Sequence, residues 1–317
     1  MDRNTLLKWA PLLVLILLIA LFTLVNANFL SVRNFARLAI AASPPLMVAL
    51  GVTFIIIMGS IDLSMEGTVA LTAVLFSLLF LGLGDTLIPF GWIALPVTLI
   101  IGTAIGAAVG LVHVRLKIPS FMASLAMGFV GTGAAILITG GAIVRIHDDV
   151  FRGLLTVRVL QFPLMCWLAA LCFLGAWFIQ TKTTLGRNFY AVGGGEDLAH
   201  ASGLNVKRVR IMGFALAGMF YAMAAIMMVA RLGQAESTTG ANMMFTSITS
   251  VVVGGVALWG GIGGVWNALV GVLIVTVIGN GMVVAGLPTF IQDGVLGVLV
   301  IVAVVLSTDR KTISFVK

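Results

Sequence analysis

The sequence predicts an all-α polytopic membrane protein with about ten transmembrane helices. Three observations carry that expectation: 61% of the 317 residues are apolar, only 9% are charged, and the charges fall between long uncharged runs. A water-soluble domain carries about 25% charged residues, because its surface must stay hydrated. Ten spans of ~20 residues need ~200 apolar positions, close to what this composition supplies. The mean hydropathy of +1.19 agrees.

A charge at mid-bilayer costs about 3 kcal/mol on insertion scales, so uncharged runs mark the spans. They cover residues 11–32, 38–61, 67–84, 86–112, 118–144, 159–181, 211–230, 237–292 and 294–308. The first run follows Arg3 and Lys8 and meets Val25-Asn26-Ala27, which mimics a secretory signal; its uncharged length suits an uncleaved first span. The 237–292 run is 56 residues long and divides at Trp259-Gly260-Gly261-Ile262-Gly263-Gly264, because consecutive glycines have no helix preference and permit a tight reversal. Ten spans result, in one transmembrane domain over 1–317, with both termini expected in the cytoplasm.

That orientation puts twelve Lys and Arg residues inside and six outside, with every lysine inside, which fits the positive-inside bias of membrane proteins. The net charge of +7 and the pI near 10.0 then require no nucleic acid partner. Cys166 and Cys172 lie in one apolar stretch and read as buried small hydrophobes. His113, His147 and His200 have no ligand-like spacing, so neither a metal site nor a catalytic residue is expected.

Four segments carry functional expectations. The second span holds Ser43-Pro44-Pro45 near its centre, where prolines remove donors, so a break or kink lining a path is expected. Next, Gly59-Ser60-Ile61-Asp62-Leu63-Ser64-Met65-Glu66-Gly67 places two carboxylates between apolar spans. Asp62 or Ser64 is suited to cap the third helix, and Glu66 to favour its positive end. The loop 182–210 is the longest connection assigned to the cytoplasm: Gly193-Gly194-Gly195 is read as freeing the chain, Glu196 and Asp197 start a short helix through Leu198, Ala199, His200, Ala201 and Ser202, and Gly203 ends it. Its small residues suit close contact with another protein; a solvated surface helix is the alternative. No phosphate-loop or dinucleotide fingerprint accompanies the glycine triplet, so ATP is not bound by this chain. Finally, Ile118-Pro119-Ser120-Phe121 and Leu287-Pro288-Thr289-Phe290 each open a span after a glycine-rich one, from opposite sides, which would suit inverted five-span repeats.

With these segments in place, the sequence resembles the permease subunits of bacterial ABC importers of the ribose and branched-chain amino-acid type, nearer the sugar branch. The resemblance runs from Asn34 to Asp309 and rests on ordered blocks: Gly59-Ser60-Ile61-Asp62-Leu63-Ser64, Ile118-Pro119-Ser120-Phe121 through Thr139-Gly140-Gly141, Thr184-Leu185-Gly186-Arg187 with Tyr190-Ala191-Val192-Gly193-Gly194, Ser202-Gly203-Leu204-Asn205-Val206, and Gly254-Gly255 to Trp266. It implies the type II, vitamin-B12-importer-like permease fold. It also implies that residues 196–203, with Glu196, Asp197, Ala199, His200, Ala201 and Gly203, are a coupling helix docking on a separate ATPase subunit. A second permease chain, identical or not, would complete the pathway, and a periplasmic binding protein would deliver the solute. ATP and Mg would be bound by the ATPase, with no cofactor in this chain. The chain departs from the sugar branch at Met65-Glu66-Gly67, nearer a nucleoside-importer pattern, and at the neutral Asn242-Met243-Met244-Phe245.

The expected function is passive translocation of a small sugar-like solute, such as a pentose, through membrane lipid. Its weakly polar path would be lined by Ser43, Pro44, Pro45, Thr53, Asp62, Ser64, Asn242, Thr246, Ser250 and Asn280, although Ser and Thr in spans often bond their own helix. A nucleoside or sugar-like signal is the alternative solute. An ion-coupled secondary transporter would need an ionisable relay deep in the spans, and apart from Asp62, Glu66 and Asp293 near span ends none is present. A membrane hydrolase would need a nucleophile with a base in reach, and no histidine lies mid-span.

Overall fold

The computed structural model describes residues 3–288 and, beyond them, 291, 294, 295, 297, 298 and 301. The chain is overwhelmingly helical: α1 (Arg3–Val25), α2 (Val32–Ile57), α3 (Met65–Gly82), α4 (Ala94–Leu116), α5 (Ser120–Thr139), α6 (Asp149–Thr156), α7 (Leu164–Lys182), α8 (Thr184–Gly194), α9 (Glu196–Ala201), α10 (Val206–Leu232), α11 (Met243–Val253) and α12 (Val265–Val284). Seven helices among the described residues are long and apolar enough to cross a membrane; the apolar part of α1 (Trp9–Val25) and α11 are shorter. The expected tenth span, with Thr289, Phe290 and Asp293, lies mostly outside the described residues.

The eighth expected span is corrected. At 1.5 Å per residue, the 11 residues of α11 reach about 16 Å, roughly half of a ~30 Å hydrocarbon core. Turns occupy 236–242 before it, and the glycine-rich stretch 254–264 follows it. The break expected at Pro44-Pro45 is also corrected, since α2 runs unbroken through both prolines. Their missing N–H groups would have served the Ile40 and Ala41 carbonyls, and the turn persists because α2 is enclosed by protein for most of its length. Ser43 Oγ donates to Ala39 O at 2.7 Å inside the same turn.

Close helix packing follows from missing side chains. Gly102, Gly106 and Gly110 recur every fourth residue on α4 and meet Gly218, Phe214 and Ile211 of α10; a methyl group on Gly106 would strike the Phe214 carbonyl. Buried α2 lies against α10 in the main core, while α1 and α12 share a second cluster with Leu15, Phe29, Leu38, Ile274 and Ile278. At the periphery, α5 and α7 turn large apolar residues outward, with Leu137 85% exposed, as lipid-facing surfaces require. Cys166 and Cys172 of α7 are half-buried and unpaired, not enclosed as expected, because α7 has few neighbours.

The two ends of the bundle differ. One carries α6 and two short antiparallel pairs, Val144–Arg145 with Gln234–Ala235 and Arg158–Val159 with Phe162–Pro163. Asp148 caps α6 through Val150 N and Phe151 N and accepts Leu87 N at 2.8 Å, while Phe151 packs on Phe76 and Phe80 of α3. The other end carries α8 and α9. There the glycine triplet is not the free tether expected: Gly193 and Gly194 close α8, and Gly193 abuts the Ile57 carbonyl, where a Cβ has no room.

Candidate functional site

α3 is one helix, but the segment that leads into it from α2 is not helical. Between Ile57 and Met65 the chain is non-helical and runs beside α5, two of its backbone donors met by side chains: Ser120 Oγ accepts Ile61 N at 3.0 Å, and Ser124 Oγ accepts Leu63 N at 2.9 Å. At its top, Gly67 meets Gly128 backbone to backbone. Eight residues separate Ser120 from Gly128, so α3 begins about 12 Å below the end that carries α9.

From the opposite end, residues 236–242 descend from the Gln234–Ala235 strand to the same depth. Gly240 lies against the Glu66 backbone, and Glu66 Oε1 accepts Met244 N at 3.2 Å, capping the second residue of α11. Two helices thus begin side by side in the interior and run apart. α3 heads to the α6 end, and α11 heads to the α9 end, where Gly261 N donates to Ile57 O at 2.9 Å. Glu66, expected to favour the start of its own helix, sits in the first turn of α3 and also serves α11.

Asp62 fixes the junction. Its Oδ1 accepts Ser64 N at 2.8 Å and Ser64 Oγ at 2.7 Å, and its Oδ2 accepts the hydroxyl of Tyr221 at 2.9 Å. It is 2% exposed, and no cation pairs with it among the described residues. Ser64 occupies the cap position of α3 without a side-chain cap bond, its hydroxyl being engaged by Asp62. Tyr221 reaches across from α10 because residue 51 of α2 is glycine; a Cβ there would lie 2.9 Å from the tyrosine ring. A lone buried carboxylate at this depth is costly unless several donors serve it, and such groups mark functional sites in membrane proteins.

Of the other expected pathway residues, Thr53 and Ser250 are buried and donate to Ala49 O and Thr246 O of their own helices, as Ser43 does. Pro44 is buried and Pro45 half-buried. Asn280 Oδ1 is enclosed without a partner. Asn242 is exposed at the left-handed start of α11, and Thr246 is half-buried one turn on. With Phe245 they form an uncovered face of the chain at the meeting of the two helices. Sequence reasoning missed Tyr221 and Ser124; a tyrosine and a serine in uninterrupted spans were the only local signals.

At the α9 end, Gly203 at φ +84° closes the short helix, with Leu204 N bonded to Ala199 O and Gly203 N to His200 O. α9 spans Glu196–Ala201, two residues shorter than expected. Ala199 turns inward and is buried, whereas Glu196, Asp197, His200, Ala201 and Gly203 are exposed, and so is Leu198 at 77%. Leu198, a large apolar residue in a charged loop, is the outward feature that the reading of small residues overlooked. Behind α9, Tyr190 of α8 donates to the Gly263 carbonyl and accepts from Gln180 Nε2, while Gln180 Oε1 accepts Val265 N at 2.7 Å and so caps α12. Burial pushes the Tyr190 hydroxyl pKa upward, which keeps it a donor. Among the described residues no group of three His, Cys, Asp or Glu side chains is placed to hold a metal ion.

The profile of the family described as branched-chain amino acid transport system / permease component matches residues 34–304, from the first turn of α2 past α12. The chain belongs to this permease family. Among similar proteins, the ribose import permease protein RbsC of Haemophilus influenzae is 32% identical over 295 residues, covering 92% of this chain and 90% of that one. RbsC of Escherichia coli K12 is 31% identical over 315 residues, covering 98% and 96%. The galactose/methyl galactoside import permease protein MglC of H. influenzae is 30% identical over 309 residues, covering 93% and 92%. No solved structure gives a significant match. The matches place the permease in the sugar branch of the ABC importer family and identify it as a multi-pass transmembrane protein.

Proposed function

We propose that this permease is the membrane-spanning translocation subunit of an ATP-driven importer for a small sugar, and that the solute passes where α3 and α11 begin. The observation that carries this reading is the pair of helix starts, of α3 and of the short α11, that meet at one depth and are joined by the Glu66 to Met244 bond. Interrupted helices place polar backbone ends at membrane depth, which is how transport proteins build solute sites between repeats. Two helices that start at one depth and run to opposite sides also favour the inverted five-helix arrangement and the type II permease fold. The uncovered face bearing Asn242, Phe245 and Thr246 suits a path formed against a second permease chain. An amide, a hydroxyl and an aromatic ring suit weak hydrogen bonding and stacking with a polyhydroxylated ring, rather than tight capture. Relatives named for ribose and galactose import favour a sugar over a nucleoside.

In this reading α9 is the cytoplasmic coupling helix, which places the α6 end outside, where a periplasmic binding protein delivers solute. Exposed Leu198 docks on the ATPase, which binds ATP and Mg. Displacing α9 and α8 moves Gly193 against Ile57, and Tyr190 against the 254–264 stretch that follows α11. Movement at the surface is thereby passed toward α3 and α11 as a rigid shift of packed elements.

The test uses proteoliposomes containing the chain, its ATPase and its binding protein, with labelled ribose as probe. Leu198→Glu is expected to lower uptake roughly tenfold or more and to abolish stimulation of ATP hydrolysis by loaded binding protein, with insertion unchanged, because a buried unpaired charge disrupts an apolar dock. Normal uptake and stimulation in this variant would remove α9 from the mechanism. Ribose uptake by the chain alone under a proton or sodium gradient would instead favour an ion-coupled transporter using Asp62.

A further inference from the structure

We propose that the cavity between the end of α4, the start of α9 and the start of α10 is a binding site for a phosphate group, carried by an anionic lipid headgroup or by free phosphate. The cavity has a volume of 380 Å³, and its lining includes His113, Lys117, Pro119, Glu196, Lys207 and Arg210. That volume lies in the range of about 300–1,000 Å³ typical of small-molecule sites.

Charge selects the ligand class. Three permanent cations, Lys117, Lys207 and Arg210, face one carboxylate, Glu196, and that carboxylate is already paired with Arg210 Nη2 at 2.6 Å. Neither lysine has a carboxylate within bridging distance among the described residues. Arg210 Nη1 donates to His113 Nε2 at 2.8 Å, which leaves the imidazole to donate from Nδ1 to Ile118 O at 2.6 Å. Both ring nitrogens of His113 are thus occupied by protein partners. Arg210 Nε remains buried without an acceptor. A guanidinium and two lysines without a carboxylate partner, lining one cavity, match the oxygens of a phosphate, which accept several charge-assisted bonds at once.

The location narrows the source. Lys117 occupies the left-handed turn that ends α4, at φ +56°, and Lys207 opens α10, so both ammonium groups lie where helices leave the apolar layer. Basic pockets at such helix ends are where anionic headgroups bind. The same Arg210 holds Glu196, the first residue of α9, so a bound phosphate competes for the guanidinium that anchors this helix.

Calorimetric titration of the full-length chain in phosphate-free maltoside micelles tests the site, with dihexanoyl phosphatidylglycerol and inorganic phosphate as separate probes. Saturable single-site binding is expected, weakened roughly tenfold or more by Lys117→Gln with Lys207→Gln. The control pair Arg187→Gln with Arg208→Gln removes two exposed charges outside the cavity and is expected to leave the affinity unchanged. Binding of phosphatidylglycerol alone assigns the site to a lipid headgroup, and comparable binding of inorganic phosphate assigns it to the small anion. Absence of saturable binding for both probes, or equal weakening by the two charge pairs, would overturn the proposal.

Discussion

Two stretches of this chain reverse the usual expectation about where a membrane helix breaks. α2 carries adjacent prolines and does not break; residues 58–64 carry none and do. The difference lies in what serves the backbone. Adjacent prolines in α2 delete two donors and leave only acceptors short of a partner, inside a helix already enclosed by neighbours. Residues 61–64 leave the helical path with their donors intact, and each of Ile61, Leu63 and Ser64 finds a side-chain oxygen. A break at membrane depth requires replacement acceptors more than it requires helix breakers.

The sharpest way to break this contrast is to remove the acceptor that holds the junction. Asp62→Leu would strand Ser64 N, Ser64 Oγ and Tyr221 Oη–H together, and a loss of about 3 kcal/mol or more is expected, read as a lowered melting temperature in detergent. Next in size is Gly67→Ala, whose methyl would meet the Gly128 carbonyl; forcing α3 from α5 should cost about 1–3 kcal/mol and reduce uptake. Ser124→Ala leaves half-buried Leu63 N unmet and should cost about 1 kcal/mol, whereas Ser120→Ala beside exposed Ile61 admits water and should cost only a few tenths of that. The smallest effect belongs to α2: Pro45→Ala should change stability by less than about 1 kcal/mol and leave uptake intact, because the proline creates no break. A large loss of uptake there would return the path to the prolines.

The same contrast explains what the sequence disclosed. Uncharged runs located the seven long spans because charge exclusion is a local property of the chain. Gly203 was readable as a helix stop, since a left-handed residue after a short helix favours glycine. The ordered blocks around Asp62 and Gly193 sufficed to place the chain in its family. The stretch between α2 and α3 was readable, but its partners were hidden, because the oxygens that stabilise it lie about sixty residues away on α5 and the groups around Asp62 include a tyrosine on α10. A long uncharged run concealed the shortness of α11, as the turns at 237–242 carry no charge, with Glu66 capping the helix that follows. The glycine triplet misled for a related reason: close approach to Ile57, not freedom, explains the absence of a side chain at Gly193.

The passage of solute beside the start of α11 is most directly tested by blocking it. In a chain with Cys166 and Cys172 replaced by alanine, cysteine is placed at Asn242 or, as control, at lipid-facing Leu137, and each is labelled to completion with a bulky thiol reagent before ribose uptake is measured with the ATPase and binding protein present. Uptake should fall to background after labelling at 242 and persist after labelling at 137. Full uptake with position 242 completely labelled would contradict the proposed route.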